Sequence, residues 1–272
     1  MEFKGFNNGF FSPLQEIKIP VENVTLGRGY GVYEFFRIHH GRPFYLDRHL
    51  NRFYQSLDLL KIEIVFNPND FERIIDQLIA LTDLPDFFIK VYAIPGSLEK
   101  LSPAAVYIIP VIMQEYAKEV YQTGSNLLLR EYIRFLPEAK STNYIASVFW
   151  KPEMDAMKAI DVLFVNKGMV LESSRGNIFV VKNRKIYTSN ENILKGITRS
   201  IVIDIMTDFK IQYSTGNFNT DFLFEADEVF ITSTTKLIMP IVRIEDRIIA
   251  DGKPGERTKE ILTRYIEIMD KG

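Results

Sequence analysis

Two hydrophobic periods alternate along this chain, and that alternation limits the fold more than any other feature. The runs Val32–Ile38, Phe87–Ile94 and Ala105–Val111 are rich in β-branched and aromatic residues and read as strands. Between the first two, Leu50, Phe53, Tyr54, Leu57 and Leu60 recur at three- and four-residue spacing within Asp47–Leu60, and Phe71, Ile74, Ile75, Leu78 and Leu81 do so from Asp70 onward. The pattern predicts two amphipathic helices covering one face of a sheet, in a mixed α/β (α+β) fold.

The second half repeats the theme with different lengths. Strand-like runs at Asp161–Asn166, Asn177–Lys182, Lys185–Thr188, Glu228–Thr232 and Ile241–Ile244 alternate with helical patterns at Asn143–Ala159, Thr198–Phe209 and Gly255–Met269. Gln114–Ser125 lacks a strong period and carries Gly124, which marks it as the expected linker. The expected domains are therefore residues 1–117, a small N-terminal α/β domain, and residues 118–272, a larger C-terminal one. A chain of 272 residues with 46% hydrophobic composition can fill two modest cores. No internal repeat or low-complexity segment is present.

Composition removes several chemistries. There is no cysteine, so disulfides, thiolate metal sites and thiol nucleophiles are excluded together. Three histidines, two of them adjacent at His39 and His40, argue against a His-rich zinc site, and no metal is expected. The formal charge is -2, with Lys and Arg scattered, so nucleic acid is not an expected partner. Met1 leads into a polar stretch and no run of 18 apolar residues occurs, so neither a leader nor a membrane span is expected and the default location is cytoplasmic.

Four segments carry chemistry: GRGYGVYEFFRIHHGRPFYLDRHLNRFYQS from Gly27, RFLPEAKSTNY from Arg134, VLESSRGNIFVVK from Val170, and ILKGITRS followed by EVFITSTTKLIMPI. In this order they resemble the fold-type IV enzymes of pyridoxal 5'-phosphate (PLP), which include D-amino-acid and branched-chain aminotransferases and aminodeoxychorismate lyase. The likeness runs from about residue 26 to residue 258. It implies a C-terminal domain with a β-barrel-like core, PLP at the domain interface and a homodimer.

Residue by residue, the resemblance makes Lys140 the lysine that forms an internal Schiff base with PLP. Such an amine must lose its proton near neutral pH and can then act as base and acid at the substrate α-carbon. Glu172, in L-E-S-S-R-G-N-I-F, resembles the carboxylate that keeps the pyridine nitrogen protonated, which is what makes the cofactor an electron sink. Gly196, Ile197 and Thr198 stand just before a helical pattern, so their backbone N–H groups would face an anion, as the family's phosphate-binding amides do. Arg52 falls on the polar side of the Asp47–Leu60 helix and matches a phosphate arginine in H-x-x-R. Ser233, Thr234 and Thr235 resemble a hydroxyl-rich turn near the phosphate and the substrate carboxylate, and Tyr144 is placed to meet the cofactor's ring oxygen. Tyr33 resembles a pocket tyrosine.

Two departures bear on specificity. Gly29-Tyr30-Gly31 stands where the family usually has G-D-G, and Lys90–Lys100 lacks the Arg-x-His pair that traps a D-amino-acid carboxylate. Lys90 aligns with a pocket arginine of branched-chain enzymes, and with Tyr92 it is a candidate substrate contact, although lysine offers a point charge instead of a planar fork. The favoured expectation is an aminotransferase moving an amino group between a small amino acid and a 2-oxo acid. The rival within the fold is aminodeoxychorismate lyase, and a PLP-binding protein without turnover is the non-catalytic alternative.

Overall fold

The computed structural model describes residues 3–271, and the chain divides into two compact units. The first comprises the chain up to Gln114 together with Ala139–Asn143; the second comprises Glu115–Glu138 and Tyr144–Lys271.

In the first unit, β1 (Lys4–Asn7), β2 (Phe10–Pro13), β3 (Val32–His39), β4 (Arg42–Pro43), β5 (Phe87–Ile94) and β6 (Ala105–Val111) form an antiparallel sheet in the order β2-β1-β6-β5-β3-β4. A short α1 (Val24–Arg28) precedes β3, and both α2 (Leu46–Leu59) and α3 (Pro68–Thr82) lie between β3 and β5, as the periodicity predicts. Alternation sorts β3 into two faces. Val32, Glu34, Phe36 and Ile38 are buried, and Phe36 and Glu34 meet His49 and Arg52 of α2. The helices join through Phe53 and Phe71, whose rings stand edge to face at 5.4 Å. Asn67 starts α3 by accepting from the Asp70 N–H while the Asp70 carboxylate accepts from the Asn67 N–H, with Pro68 in the first turn.

In the second unit, α4 (Lys118–Thr123) leads into β7 (Ser125–Glu131), α5 (Ile145–Phe149), α6 (Lys151–Ala156), β8 (Ala159–Asn166), β9 (Met169–Ser173), β10 (Asn177–Lys182) and β11 (Lys185–Thr188). There follow α7 (Ile197–Asp208), β12 (Tyr213–Thr215), β13 (Phe218–Asn219), α8 (Thr220–Phe224), β14 (Glu228–Ser233), β15 (Leu237–Ile244), β16 (Arg247–Ile248) and α9 (Glu256–Lys271). The sheet order is β12-β11-β10-β14-β15-β7-β8-β9-β13, with β16 beside β15. A bridge between Ser173 and Gly176 joins the ends of β9 and β10, so the path β10-β14-β15-β7-β8-β9 returns on itself. This is the expected barrel-like core, filled by residues such as Leu163, Val180, Ile231 and Met239.

Two local expectations are corrected. Asn143–Ala159 is not one helix: the chain breaks at Trp150 and restarts with Pro152 in the first turn of α6. A proline inside a continuous helix would lose a backbone donor and clash with the preceding turn, whereas in a first turn it costs little. The expected linker contains α4, which ends at Gly124 with φ of 79°.

The Ser173–Gly176 bridge leaves no room for a side chain, because a Cβ on Gly176 would lie 2.3 Å from the Thr232 carbonyl oxygen. Gly176→Ala is expected to destabilise the protein by about 2 kcal/mol, as forced overpacking does. Urea unfolding followed by fluorescence checks this.

Candidate active site

In the first unit, cross-strand register brings three candidate residues together and a fourth reaches them from outside the sheet. Tyr33 pairs with Tyr92 and Phe35 with Lys90 between β3 and β5, so Tyr33, Lys90 and Tyr92 share one sheet face. Lys90 Nζ sits 5.3 Å from the Tyr33 ring centre and 4.9 Å from that of Tyr92. Lys140 reaches the same place: its Nζ is 3.3 Å from the Tyr33 hydroxyl and 4.4 Å from the ring centre. Its backbone is held independently, the N–H by Ser56 Oγ at 3.0 Å and the carbonyl by the Tyr33 N–H at 3.0 Å. Lys140 thus rides on a segment pinned to β3 and α2, with its side chain half-buried.

Behind that segment lies a buried charge cluster. Arg52 does not stand on an exposed polar face: it is buried, with Nε 2.9 Å from Glu34 Oε2 and Nη2 2.6 Å from Glu34 Oε1. The helix that looks polar at this position turns it toward β3, where only a paired guanidinium can be buried. His49 Nδ1 is 3.1 Å from Glu34 Oε1. Burial alone would raise the Glu34 pKa, but Arg52 and His49 together hold it well below the usual carboxylate range. Burial lowers the His49 pKa against the pull of Glu34.

In the second unit, Glu172 at the end of β9 is buried. Its Oε1 faces Arg134 Nε at 3.1 Å and its Oε2 accepts from the Leu194 N–H at 2.9 Å. Arg134 also donates to the Ser174 carbonyl and lies over the Tyr144 ring, 4.5 Å from its centre. One arginine therefore touches two of the predicted residues, Glu172 and Tyr144.

Gly196 caps α7, whose first residues are Ile197 and Thr198. Asn177 shapes this end: its Oδ1 accepts from the Gly196 N–H at 3.1 Å and its Nδ2 donates to the Leu194 carbonyl at 2.8 Å. A Cβ on Gly196 would lie 2.4 Å from Asn177 Oδ1, so a larger residue here would push the Asn177 side chain aside. Ser233 ends β14, and Thr234 and Thr235 form the turn into β15. Ser233 Oγ accepts from the Lys236 N–H at 3.0 Å.

Comparison with known proteins decides the family. A family profile described as "Amino-transferase class IV" matches residues 31–244. The chain belongs to the class IV aminotransferases. It is 30% identical to D-alanine aminotransferase of Bacillus licheniformis over 267 residues, covering 94% of this chain and 93% of that one. It is 28% identical to D-alanine aminotransferase of Staphylococcus aureus (strain N315) over 278 residues, covering 97% and 98%. Among solved structures, the T.th. branched-chain amino acid aminotransferase with pyridoxamine 5'-phosphate superposes with a TM-score of 0.93 at 29% identity, covering 100% of this chain and 96% of that one.

This class IV aminotransferase has the fold-type IV architecture and uses pyridoxal phosphate to move amino groups between an amino acid and a 2-oxo acid. The lyase alternative is not favoured. No helix among the described residues is long and apolar enough to cross a membrane. His39, His40 and Asp86 place their ligand atoms within 4.8 Å of one another, but His39 Nδ1 already holds Asp86 Oδ1 at 2.7 Å.

Sequence reasoning misses Arg134, Asn177, Asp161 and Lys236. Arg134 opens the quoted RFLPEAKSTNY segment, but nothing in its spacing links it to Glu172. Asp161 and Lys236 stand in named segments, but nothing there marks them as a buried pair, since a charged residue is read as solvent-facing by default.

Proposed function

We propose that Lys140 carries pyridoxal phosphate covalently, that Glu172 pairs with the pyridine nitrogen, and that the substrates are small amino acids and their 2-oxo acids. The observation that carries this reading is the placement of the Lys140 amine beside the Tyr33 hydroxyl on a backbone pinned at both its N–H and its carbonyl. The other residues fit the cofactor by donor type. A buried carboxylate suits a protonated ring nitrogen, and the α7 N-terminus at Ile197 and Thr198 suits a phosphate; the Gly196 N–H, expected to face the anion too, is instead given to Asn177 Oδ1, so Gly196 shapes the turn.

Bound pyridoxal phosphate supplies an electron sink for negative charge at the substrate α-carbon. Lys140 takes the proton from that carbon as base and returns one as acid. Arg134 orients Glu172, as a guanidinium 3.1 Å from a buried carboxylate does. Arg52, aimed by Glu34, and the hydroxyls of Ser233 and Thr234 add donors for the phosphate, with Tyr144 at the ring oxygen. Tyr33, Lys90, Tyr92 and Thr235 are the proposed substrate contacts.

Borohydride reduction of the PLP-loaded protein followed by peptide mapping is expected to label Lys140, and labelling of another lysine defeats the assignment. A panel of D- and L-amino acids, scanned for conversion of bound PLP to its pyridoxamine form, identifies the substrate and its hand. We also propose a homodimer, supported by the exposed apolar residues Phe135, Ile145, Val148 and Phe149 of the second unit. Light scattering is expected to give twice the 31.6 kDa of one chain; a mass of one chain defeats the dimer.

A further inference from the structure

Asp161 and Lys236 form an ion pair that no step of amino transfer uses. Their side chains are 0% and 1% exposed, and Lys236 Nζ lies 2.8 Å from Asp161 Oδ2. Stability does not account for such a pair, because the cost of removing two charges from water cancels most of their attraction and an apolar pair of the same volume does as well or better. Its surroundings point to another role.

Asp161 Oδ1 accepts from the Ser174 hydroxyl and from the Val162 N–H, and Oδ2 accepts from the Ser173 hydroxyl at 3.2 Å. Ser173 and Ser174 directly follow Glu172, whose carboxylate is held by Arg134 and the Leu194 N–H. Lys236 closes the turn after β14, its N–H bonded to Ser233 Oγ at 3.0 Å and its carbonyl accepting from the Tyr121 hydroxyl at 3.3 Å. One buried contact thus ties the Glu172–Ser174 segment at the end of β9 to the Ser233–Lys236 turn.

We infer that Asp161 and Lys236 are positioning residues that fix the Glu172 carboxylate and the Ser233–Thr235 hydroxyl turn at one spacing, so that both meet the cofactor at once. The inference rests on the reading that those two segments bind PLP. Apolar contacts can slide, whereas a charge-assisted hydrogen bond backed by two serine hydroxyls has a single geometry, and misplacement of about 1 Å at a binding group can cost as much as about 100-fold. The ion pair also discourages repacking, since separating it strands a charge inside the barrel-like core.

The test titrates PLP into the purified protein freed of cofactor and reads the dissociation constant, with urea unfolding in parallel. Lys236→Met alone strands Asp161 and is expected to lower the urea midpoint. The double variant Asp161→Asn with Lys236→Met removes both charges and is expected to regain the midpoint yet bind PLP about ten-fold more weakly. A double variant that folds and binds PLP like the parent overturns the inference.

Should the double variant fail to fold, the combined Ser173→Ala and Ser174→Ala variant decides, because it leaves the ion pair and removes both hydroxyl links to the Glu172 segment. Weaker PLP binding and a shifted pH midpoint for the bound cofactor's visible absorption are expected there; unchanged values overturn the inference. If the parent itself takes up no PLP, this inference and the cofactor assignment fall together. Normal parent binding with an unaffected double variant removes only the positioning role.

Discussion

Lys140→Ala is expected to reduce amino-group transfer by at least about 10⁴-fold, since on the proposed assignment it removes both the covalent attachment point and the base that moves the α-proton. The fold should survive, because the Lys140 backbone N–H and carbonyl remain bonded to Ser56 and Tyr33 whatever the side chain. Truncation leaves a small space beside the Tyr33 ring and no buried charge. Single-turnover conversion of bound PLP by an amino acid, with thermal unfolding as a control, gives the measurement. A variant that unfolds like the parent and retains more than a trace of transfer would show that another residue does this work. A small added amine is expected to restore part of the rate, because what the variant lacks is a proton carrier of the right size.

Glu34→Gln is expected to destabilise the protein by about 3–5 kcal/mol at neutral pH, the cost of breaking a buried ion pair by removing one partner. Glu34 is fully buried and both of its oxygens are occupied, so glutamine cannot replace it: the amide nitrogen would face a guanidinium donor. Equilibrium unfolding in urea, compared at constant slope, gives the number.

The same cluster sets the acid limit of stability. The folded pKa of Glu34 is depressed from the ordinary 4.5, so its contribution is fully present above that value and is lost as pH falls toward the depressed one. His49 is depressed from the ordinary 6.5, so the unfolded chain also binds its proton first, and stability falls on acidification from below about that pH. Both groups act in the same direction. The parent should lose stability from about pH 6 downward, and Glu34→Gln should show a shallower decline below pH 4.5. Equal slopes in the two proteins would mean that the carboxylate does not carry the acid sensitivity.

Tertiary placement matters unevenly across the site. Tyr33, Lys90, Tyr92 and Lys140 are all visible as candidates in the chain; cross-strand register joins the first three, since Tyr33 opposes Tyr92 directly, and Lys140 reaches them through its backbone bonds to Tyr33 and Ser56. Arg52 is visible too, but as an arginine on a polar helix face; its burial against Glu34 follows from the packing of α2 onto β3, which helical spacing alone does not reveal. Arg134 cannot be tied to the site from spacing, because its partner carbonyl lies 40 residues away.

Many of the longer elements follow from the chain alone, whereas β1, β2, β7 and β9 and the short helices α1, α4 and α8 do not. Period two and period 3.6 are local properties of the backbone, and Phe87–Ile94, Ala105–Val111, Asn177–Lys182 and Lys185–Thr188 are read from them without error. Lys140, Glu172 and the helix start at Gly196 are singled out by their resemblance to the motifs of one family, and not by any period of the chain. Which charges leave water is settled only by folding. Asp161 and Lys236 are 75 residues apart, and they meet because a curled sheet returns β14 and β15 to the side of β8 and β9. Burial of a charge is a property of the surroundings it meets at the end of folding, and no local pattern in the chain encodes those surroundings.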